Sequence, residues 1–545
     1  TLSGLALSIG VLVDQATVTI ENIHQHLEMG KPKRQAIYDA CQEVALPLLL
    51  ILLCILAVFA PSFIMQGVPR AMFLPLSLSI GFAMTVSYFL AQSLVPVLSN
   101  WLLKNHAHAP EASDETEEPT PTRFDRLRNG FVRQTRRLMK RNRLVIGIYF
   151  LTVFGLLFLG LNFIGKDMLP QINSGQLVIR MKTPDGTRLE RTEEKVRELL
   201  TLVDDVTGGN LAVSSAYVGA VPTNYATTNL YVSTSGPNDA IIKVALDNAF
   251  DPNLERLRQQ IREAVQERMP DVTLSFEPAD LTEKLMSQGA YTPIEVQVAG
   301  RDMKQIEGYA NRLTAALADV PTLRDVRIIQ PLKFPVVRIN LDRQRLAMMG
   351  LNLQQAARSI TASTSSSRYT EKNQWLDQRA AYTYQVQVQI PEYAMTSLSR
   401  LQQIPLVAGQ SRPVLSDVAT FAVDTLPGEY ARTGPRRFVT VSANIHRTDL
   451  GSATKAVEQT IASLGEPPQG LVTEIKGMSS LLTETLASLQ LGLGIAIVVI
   501  FLLLAANYQS FRLALVVLST VPAVLVGALG LLLLTGSTLN LQSYM

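Results

Sequence analysis

The chain has 545 residues, of which 47% are hydrophobic and 17% charged, with a formal net charge of +3. That length leaves room for several domains, and so small a net charge points to no particular partner. Only Cys41 and Cys54 are present, which excludes a disulfide framework and a cysteine-based metal site.

In chain order, the first apolar run extends from Leu2 to Ile20 and holds one acidic side chain, Asp14. A carboxyl group at membrane depth is costly, and it usually faces a protein interior and does a job such as carrying a proton. Uncharged stretches follow at 44–69, 71–103, 144–165, 485–510 and 513–545. Each supplies the roughly 20 residues that cross a bilayer as a helix, so six spans are expected. Lys31, Lys33 and Arg34 follow the first span, a run of Lys and Arg from Lys104 to Arg143 follows the third, and Arg512 follows the fifth. Positive loops stay cytoplasmic. The short turn at 61–70 and the long polar region 166–484 then lie on the opposite side.

Thr1 opens directly into apolar sequence with no signal-peptide n-region, and Met545 closes in apolar sequence. A fragment of a longer protein is expected. Residues 106–122, rich in Ala, Pro, Thr and acid, read as a flexible linker. Residues 123–142 place Phe124, Leu127, Phe131 and Leu138 at helical spacing among arginines. That pattern suits an amphipathic helix in the cytoplasmic interface, with a solvated basic helix as the alternative.

The polar region alternates strand and helix. Strands are predicted at 176–182, 211–218, 229–233, 241–246 and 272–276, with helices at 188–203 and 254–269. This is the split βαβ, ferredoxin-like order. It recurs with a strand at 293–298, a helix at 303–317 and strands at 323–330 and 336–341. A helix at 343–361, broken at Gly350, follows. Strands at 379–390 and 410–421 read as an insertion. The strand 438–445, the helix 451–464 and the strand 471–476 then complete the second unit.

Several segments together resemble the resistance-nodulation-division (RND) efflux permeases of the acriflavine-resistance, hydrophobe-exporter type. They are Gly10-Val-Leu-Val-Asp14-Gln-Ala-Thr-Val-Thr-Ile-Glu21-Asn22, Met72-Phe-Leu-Pro-Leu-Ser-Leu-Ser-Ile-Gly-Phe-Ala83 and Leu94-Val-Pro-Val97. Asp342-Arg-Gln-Arg-Leu-Ala-Met-Met-Gly350-Leu and Val414-Leu-Ser-Asp-Val-Ala419 follow further along. On the family's twelve-span plan the chain would run from about the fourth to the ninth transmembrane helix. The implied fold is an α-helical polytopic membrane bundle plus periplasmic α/β (ferredoxin-like split βαβ) porter subdomains with a β-rich docking insertion. The implied division has transmembrane helices at 1–105, a cytoplasmic linker and interfacial helix at 106–143, and a further span at 144–165. The first porter subdomain takes 166–280 and the second takes 281–364 and 436–480, interrupted by docking insertion 365–435. Two truncated spans at 481–545 close the chain.

The resemblance implies a secondary active transporter, a proton antiporter rather than an enzyme, in the bacterial inner membrane. It would need no cofactor beyond the proton motive force. Implied partners are the lipid bilayer, a periplasmic adaptor protein, an outer-membrane channel, two further copies in a homotrimer and small-molecule substrates, with no nucleic acid. Asp14 matches the family's proton-relay aspartate, whose pKa burial would raise toward the working range. A second Asp often follows it in drug exporters, and here that position is Gln15, which cannot take up charge. The relay's lysine partner would lie on the tenth span, beyond Met545. The family's mobile loop beside the substrate pocket corresponds to residues 219–229, so Tyr217 and Tyr225 are candidates to contact an aromatic or amphiphilic ligand. Met286 and Tyr291, between the two porter units, are candidates at the cleft mouth.

Soft metal ions need clustered Met, Cys or His. The polar region has no Cys, one His (His446) and scattered methionines, so export of hydrophobic or amphiphilic compounds is favoured over export of heavy-metal cations, with no metal site expected. A membrane-anchored enzyme would want a base beside a nucleophile or a His cluster, and neither is present. A non-transporting sensor or assembly protein on the same scaffold is the remaining alternative.

Overall fold

The structure, a computed structural model, describes residues 2–64, 67–103, 123–169, 174–219, 234–287, 289–407 and 409–544. Where a chain must cross hydrocarbon, a helix satisfies its own backbone polar groups, and the apolar runs all fold that way. Five helical segments among the described residues are long and apolar enough to cross a membrane: Lys33–Phe63, Phe73–Leu102, Asn142–Phe163, Met478–Tyr508 and Phe511–Leu534. The Asp14 segment forms one helix, Leu2–Glu28, of 27 residues, about 40 Å long at 1.5 Å per residue. It packs along both Lys33–Phe59 and Gly67–Leu102. Pro47, Pro75 and Pro96 lie inside helices.

The Met478–Tyr508 helix leans on Lys33–Phe59, and Asn142–Phe163 pairs with Val521–Leu534. Tyr149 seals that second pair by donating its hydroxyl to Ser519 O at 2.9 Å. The arginine-rich helix spans Arg123–Met139 and stops short of residue 142, because Asn142 opens the next helix, accepting from the Arg143 backbone at 2.8 Å.

The first α/β unit holds β1 (Gln176–Lys182), β2 (Leu211–Val218), β3 (Asp239–Leu246) and β4 (Thr273–Glu277) in the order β2-β3-β1-β4, all antiparallel. This is the order a split βαβ pair produces. Helices Leu189–Thr207 and Leu254–Arg268 cover one face, burying Leu177, Ile179, Met181, Val196, Leu199 and Ile261. The strand expected at 229–233 lies outside the described residues.

The second unit repeats the plan with an interruption. After β5 (Ile294–Gly300) and β6 (Leu323–Ile328) come β7 (Phe334–Leu341), β8 (Asn373–Asp377), β9 (Tyr382–Val386) and β10 (Ala419–Leu426). The chain then returns through β11 (Ala431–Thr433), β12 (Arg436–Ile445) and β13 (Val472–Gly477). β12 and β13 flank β5, while β6 and β11 share the other edge of β12. With that edge filled, β7 pairs with β10 in a separate sheet, from Phe334↔Leu426 to Leu341↔Ala419. The strand expected at 336–341 therefore belongs to the insertion, which begins at Phe334 and not at 365. The strand expected at 379–390 narrows to β9, paired with β8, which sequence patterning missed. That expected at 410–421 opens instead as a helical turn, Leu415–Val418, held by Val414 N donating to Asp417 Oδ2 at 3.0 Å. Gly350, at φ 70°, divides helices Arg343–Met348 and Leu353–Thr364.

Membrane and α/β parts join at two aspartates. Asp449 caps the Leu450–Ser463 helix and also accepts from Lys166 N at 2.8 Å, while Asp167 accepts from Leu450 N at 2.9 Å. Burial pushes the Asp167 carboxyl above the usual carboxylate range. The Lys166–Leu539 bridge ties the same point to the chain after the Val521–Leu534 helix.

Candidate functional site

On the Leu2–Glu28 helix, Gly4, Ser8, Gln15, Thr19, Ile23 and His26 are buried along one face. Small residues there let the helices approach closely: a Cβ on Gly4 would sit 3.1 Å from Leu76 O and 3.2 Å from Ser79 Cβ. Successive helical residues are about 100° apart, so the seam that takes in Gln15 leaves Asp14 outside it. Gln15 is 3% exposed, whereas Asp14 is exposed. The burial expected for Asp14 is thus not supplied by the two helices packed along this one, Lys33–Phe59 and Gly67–Leu102. Neither end of the Gln15 amide has a hydrogen-bond partner among the described residues. Further down, Asn22 Nδ2 donates to Ala40 O at 3.1 Å and fastens this helix to Lys33–Phe59, while Glu21 is exposed.

In the α/β units the four pocket candidates separate. β2 and β1 both pair with β3, and Tyr217 and Arg180 are both registered on Ile241. They therefore share the sheet face not covered by helices, about 10 Å apart across two strand spacings. Tyr217 is half-buried beside Val178 and Ile241, with Lys243 Nζ 5.6 Å from its ring centroid. Tyr291 reaches the same face, its ring centroid 4.5 Å from the Arg180 guanidinium carbon. Met286 is not with them; it is 1% exposed in the apolar core of the second unit, beside Phe73, Met168 and Ile294. Tyr225 lies outside the described residues.

The residues that dominate this face were not singled out from the sequence. Arg180 is buried and donates through Nη1 to Asp239 Oδ2 at 2.6 Å and through Nε to Glu277 Oε1 at 2.5 Å. Asp239 also accepts from Ser235 N at 2.8 Å. From the second unit Glu295 faces the same group. Burial pushes its carboxyl up to about 7, opposed by the backbone N–H groups of Tyr291 and Thr292 and reinforced by the Glu277 charge. Beside them, Arg262 forks onto Asp325 at 2.9 and 2.8 Å, and Asn444 donates to Asp325 at 2.8 Å and to Phe276 O at 3.1 Å. The two α/β units thus meet through the Arg262–Asp325 pair and Asn444, beside a polar sheet face. Arg180 in the middle of an alternating strand was the one visible signal, because its carboxylate partners are 59 and 97 residues away. Of the sulfur side chains, Met181 and Met269 lie in the first core and Met168 and Met286 in the second, against which Met303 and Met478 also pack.

A family model described as the AcrB/AcrD/AcrF family matches residues 1–545. Multidrug resistance protein MdtC of Pectobacterium carotovorum subsp. carotovorum is 23% identical over 535 residues, covering 97% of this chain and 49% of that protein. Cobalt-zinc-cadmium resistance protein CzcA of Cupriavidus metallidurans is 22% identical over 565 residues, covering 99% of this chain and 50% of that protein. The crystal structure of a heavy metal efflux pump shares the fold with a TM-score of 0.77 at 22% identity, over 98% of this chain and 51% of that one. The chain spans about half the length of the curated relatives it matches.

Proposed function

The chain belongs to the AcrB/AcrD/AcrF family of RND efflux permeases, and from that premise we propose that it is part of a proton-driven inner-membrane pump for hydrophobic or amphiphilic compounds. The observation that carries the reading is Asp14. It is the sole acidic group of its apolar run, and it stands on the helix face that no described helix covers. In relatives about twice as long there is chain enough to cover that face. A carboxyl so enclosed alternates between a neutral and a charged form and lets the helices around it hold two arrangements. Gln15, fixed in the helix seam, takes no proton, so one titrating carboxylate per chain carries the coupling.

The two α/β units, joined by the Arg262–Asp325 pair and carrying Tyr217 and Tyr291 beside the buried Arg180, are the part that handles substrate. Such an arrangement gives amphiphiles aromatic surface beside charge. The assembly is a homotrimer with a periplasmic adaptor and an outer-membrane channel, to which the β7–β10 insertion docks.

Export of heavy-metal cations is the second reading. It is favoured by CzcA among the relatives and by the fold shared with a heavy metal efflux pump. Against it, no group of three or more His, Cys, Asp or Glu among the described residues is arranged to hold a metal ion. Cells expressing the full-length protein, challenged with dyes and detergents beside copper, silver, zinc and cobalt, decide between them. Protection against dyes or detergents supports the first reading, and protection against metals alone overturns it.

A further inference from the structure

The basic stretch between the Gly67–Leu102 and Asn142–Phe163 helices has no part in the reading above. From Arg123 to Arg143 it holds nine Lys and Arg residues and one acid, Asp125. Most of it is the Arg123–Met139 helix. Lys140 and Arg141 break that helix, Arg141 taking φ −119° and ψ 37°, and Asn142 opens the next. The Lys and Arg distribution puts this junction on the cytoplasmic side.

The helix has two unlike sides. At about 100° per residue, Phe131 and Leu138 lie about 20° apart around the axis, and Arg133, Arg136 and Arg137 lie roughly 100–160° from them. Phe131 is 71% exposed and Leu138 50%, so neither is folded into a core. Arg133, Arg136, Arg137, Lys140, Arg141 and Arg143 are exposed too, and none forms an ion pair with an acidic side chain among the described residues. Large apolar side chains left open opposite a row of open cations are the pattern of a helix that lies in a membrane surface.

Its place along the chain agrees. Arg143 is in the first turn of a membrane span, and exposed Leu144, Ile146 and Ile148 begin that span's apolar surface directly after it. Lys140, Arg141 and Arg143 therefore stand within about 6 Å of the hydrocarbon edge, at 1.5 Å per helical residue, where phospholipid headgroups are.

Two sources of negative charge adjoin this stretch. One is the lipid leaflet, and the other is segment 106–122, which carries Glu111, Asp114, Glu115, Glu117 and Glu118. Five acids do not match nine cations. The apolar residues of that segment are only Ala and Pro, too small to cover Phe131 and Leu138. An anionic leaflet offers both a plane of negative charge and hydrocarbon beneath it.

We propose that residues 123–143 are a docking surface for anionic phospholipid, and that the helix settles into the membrane surface where the leaflet carries negative charge. The apolar side sets its depth, and the cations choose the lipid. Each Lys or Arg near an anionic surface is worth about a fivefold change in binding, so Arg133, Arg136 and Arg137 together supply about a hundredfold.

The full-length protein, with its native cysteines replaced by serine, would carry a spin label at Thr135→Cys, about 40° from Phe131 around the helix. It would be reconstituted in liposomes of phosphatidylcholine alone or of phosphatidylcholine mixed with phosphatidylglycerol. Collision of the label with oxygen against a water-soluble nickel chelate reads the ratio of embedded to exposed label. That ratio should be at least tenfold higher with phosphatidylglycerol, and about 1 M salt should remove the difference. Arg133→Gln, Arg136→Gln and Arg137→Gln combined should give the phosphatidylcholine ratio in both membranes, while Lys at the same three positions should keep the preference. Equal ratios in the two membranes for the unsubstituted protein, or a preference that survives the triple Gln variant, would overturn the proposal. So would a ratio indifferent to lipid that changes with Glu111→Gln, Asp114→Asn, Glu115→Gln, Glu117→Gln and Glu118→Gln combined, which would assign the face to the acidic segment. Neither a proton gradient nor a substrate enters the measurement, so its outcome is independent of the transport reading.

Discussion

Gln15 is sealed between two helices while Asp14, one residue earlier, is exposed. In soluble proteins the charged residue is expected outside and the amide is the anomaly. On a membrane helix both are, since the outward face meets either lipid or more protein. Lipid is costly for a carboxylate, so the Asp14 face is the one on which further protein has to pack.

Among the described residues the buried Gln15 amide has no partner at either end, which costs on the order of 1–3 kcal/mol. Gln15→Leu should therefore leave the full-length protein at least as stable, raising the thermal unfolding midpoint measured in detergent, and transport should persist. Loss of transport with normal expression would show that the amide takes part in the relay.

Glu295 makes stability depend on pH in an unusual direction for a carboxylate. Its folded pKa, about 7, is above the ordinary 4.5, so the folded state holds the proton more tightly. The contribution is complete below about pH 4.5 and is lost as pH rises through 7. Glu295→Gln should match the unsubstituted protein near pH 5 and gain on it by pH 8, by up to about 3 kcal/mol for a shift of this size. Midpoints of both proteins across that range check this, and parallel curves would refute it.

Arg180 holds two buried carboxylates, Asp239 and Glu277. Arg180→Met leaves both without their cation and should destabilise the protein by about 3–5 kcal/mol. Adding Asp239→Asn and Glu277→Gln should restore most of the loss. Denaturant midpoints of the single and triple variants measure it, and an unrescued triple variant would contradict the charge-pair account.

Gly492 and Gly494 differ only in what they face. A Cβ at Gly492 would lie 2.4 Å from Pro61 Cβ, whereas one at Gly494 meets nothing within 4 Å. Gly492→Ala should cost about 1–3 kcal/mol through overpacking, and Gly494→Ala should be neutral or gain up to about 1 kcal/mol from helix propensity. Thermal unfolding of the pair in detergent tests the contact between the Met478–Tyr508 helix and Pro61.

The membrane spans and the doubled α/β rhythm were legible because both rest on local periodicity. Residues 176–182, for example, alternate as a strand and form one. What periodicity could not supply was partner choice. Residues 336–341 read correctly as a strand, yet their place in the insertion depends on β6 and β11 having already filled the edge of β12. The site followed the same rule. Tyr217 and Tyr291 were visible as aromatics near loops and do share a face. Arg180, Asp239, Glu277 and Glu295 act only through contacts made far along the chain. Met286 looked like a cleft residue because of its position between units, and packing drew it into the core.

Proton transport through Asp14 is the central claim, and Asp14→Asn in the full-length protein tests it most directly. Proton release from energised everted membrane vesicles should be measured when a substrate identified in the panel of dyes, detergents and metals is added. Substrate-induced proton flux and export should both vanish at normal expression. Asp14→Asn vesicles that still exchange protons for substrate at the unsubstituted rate would contradict it.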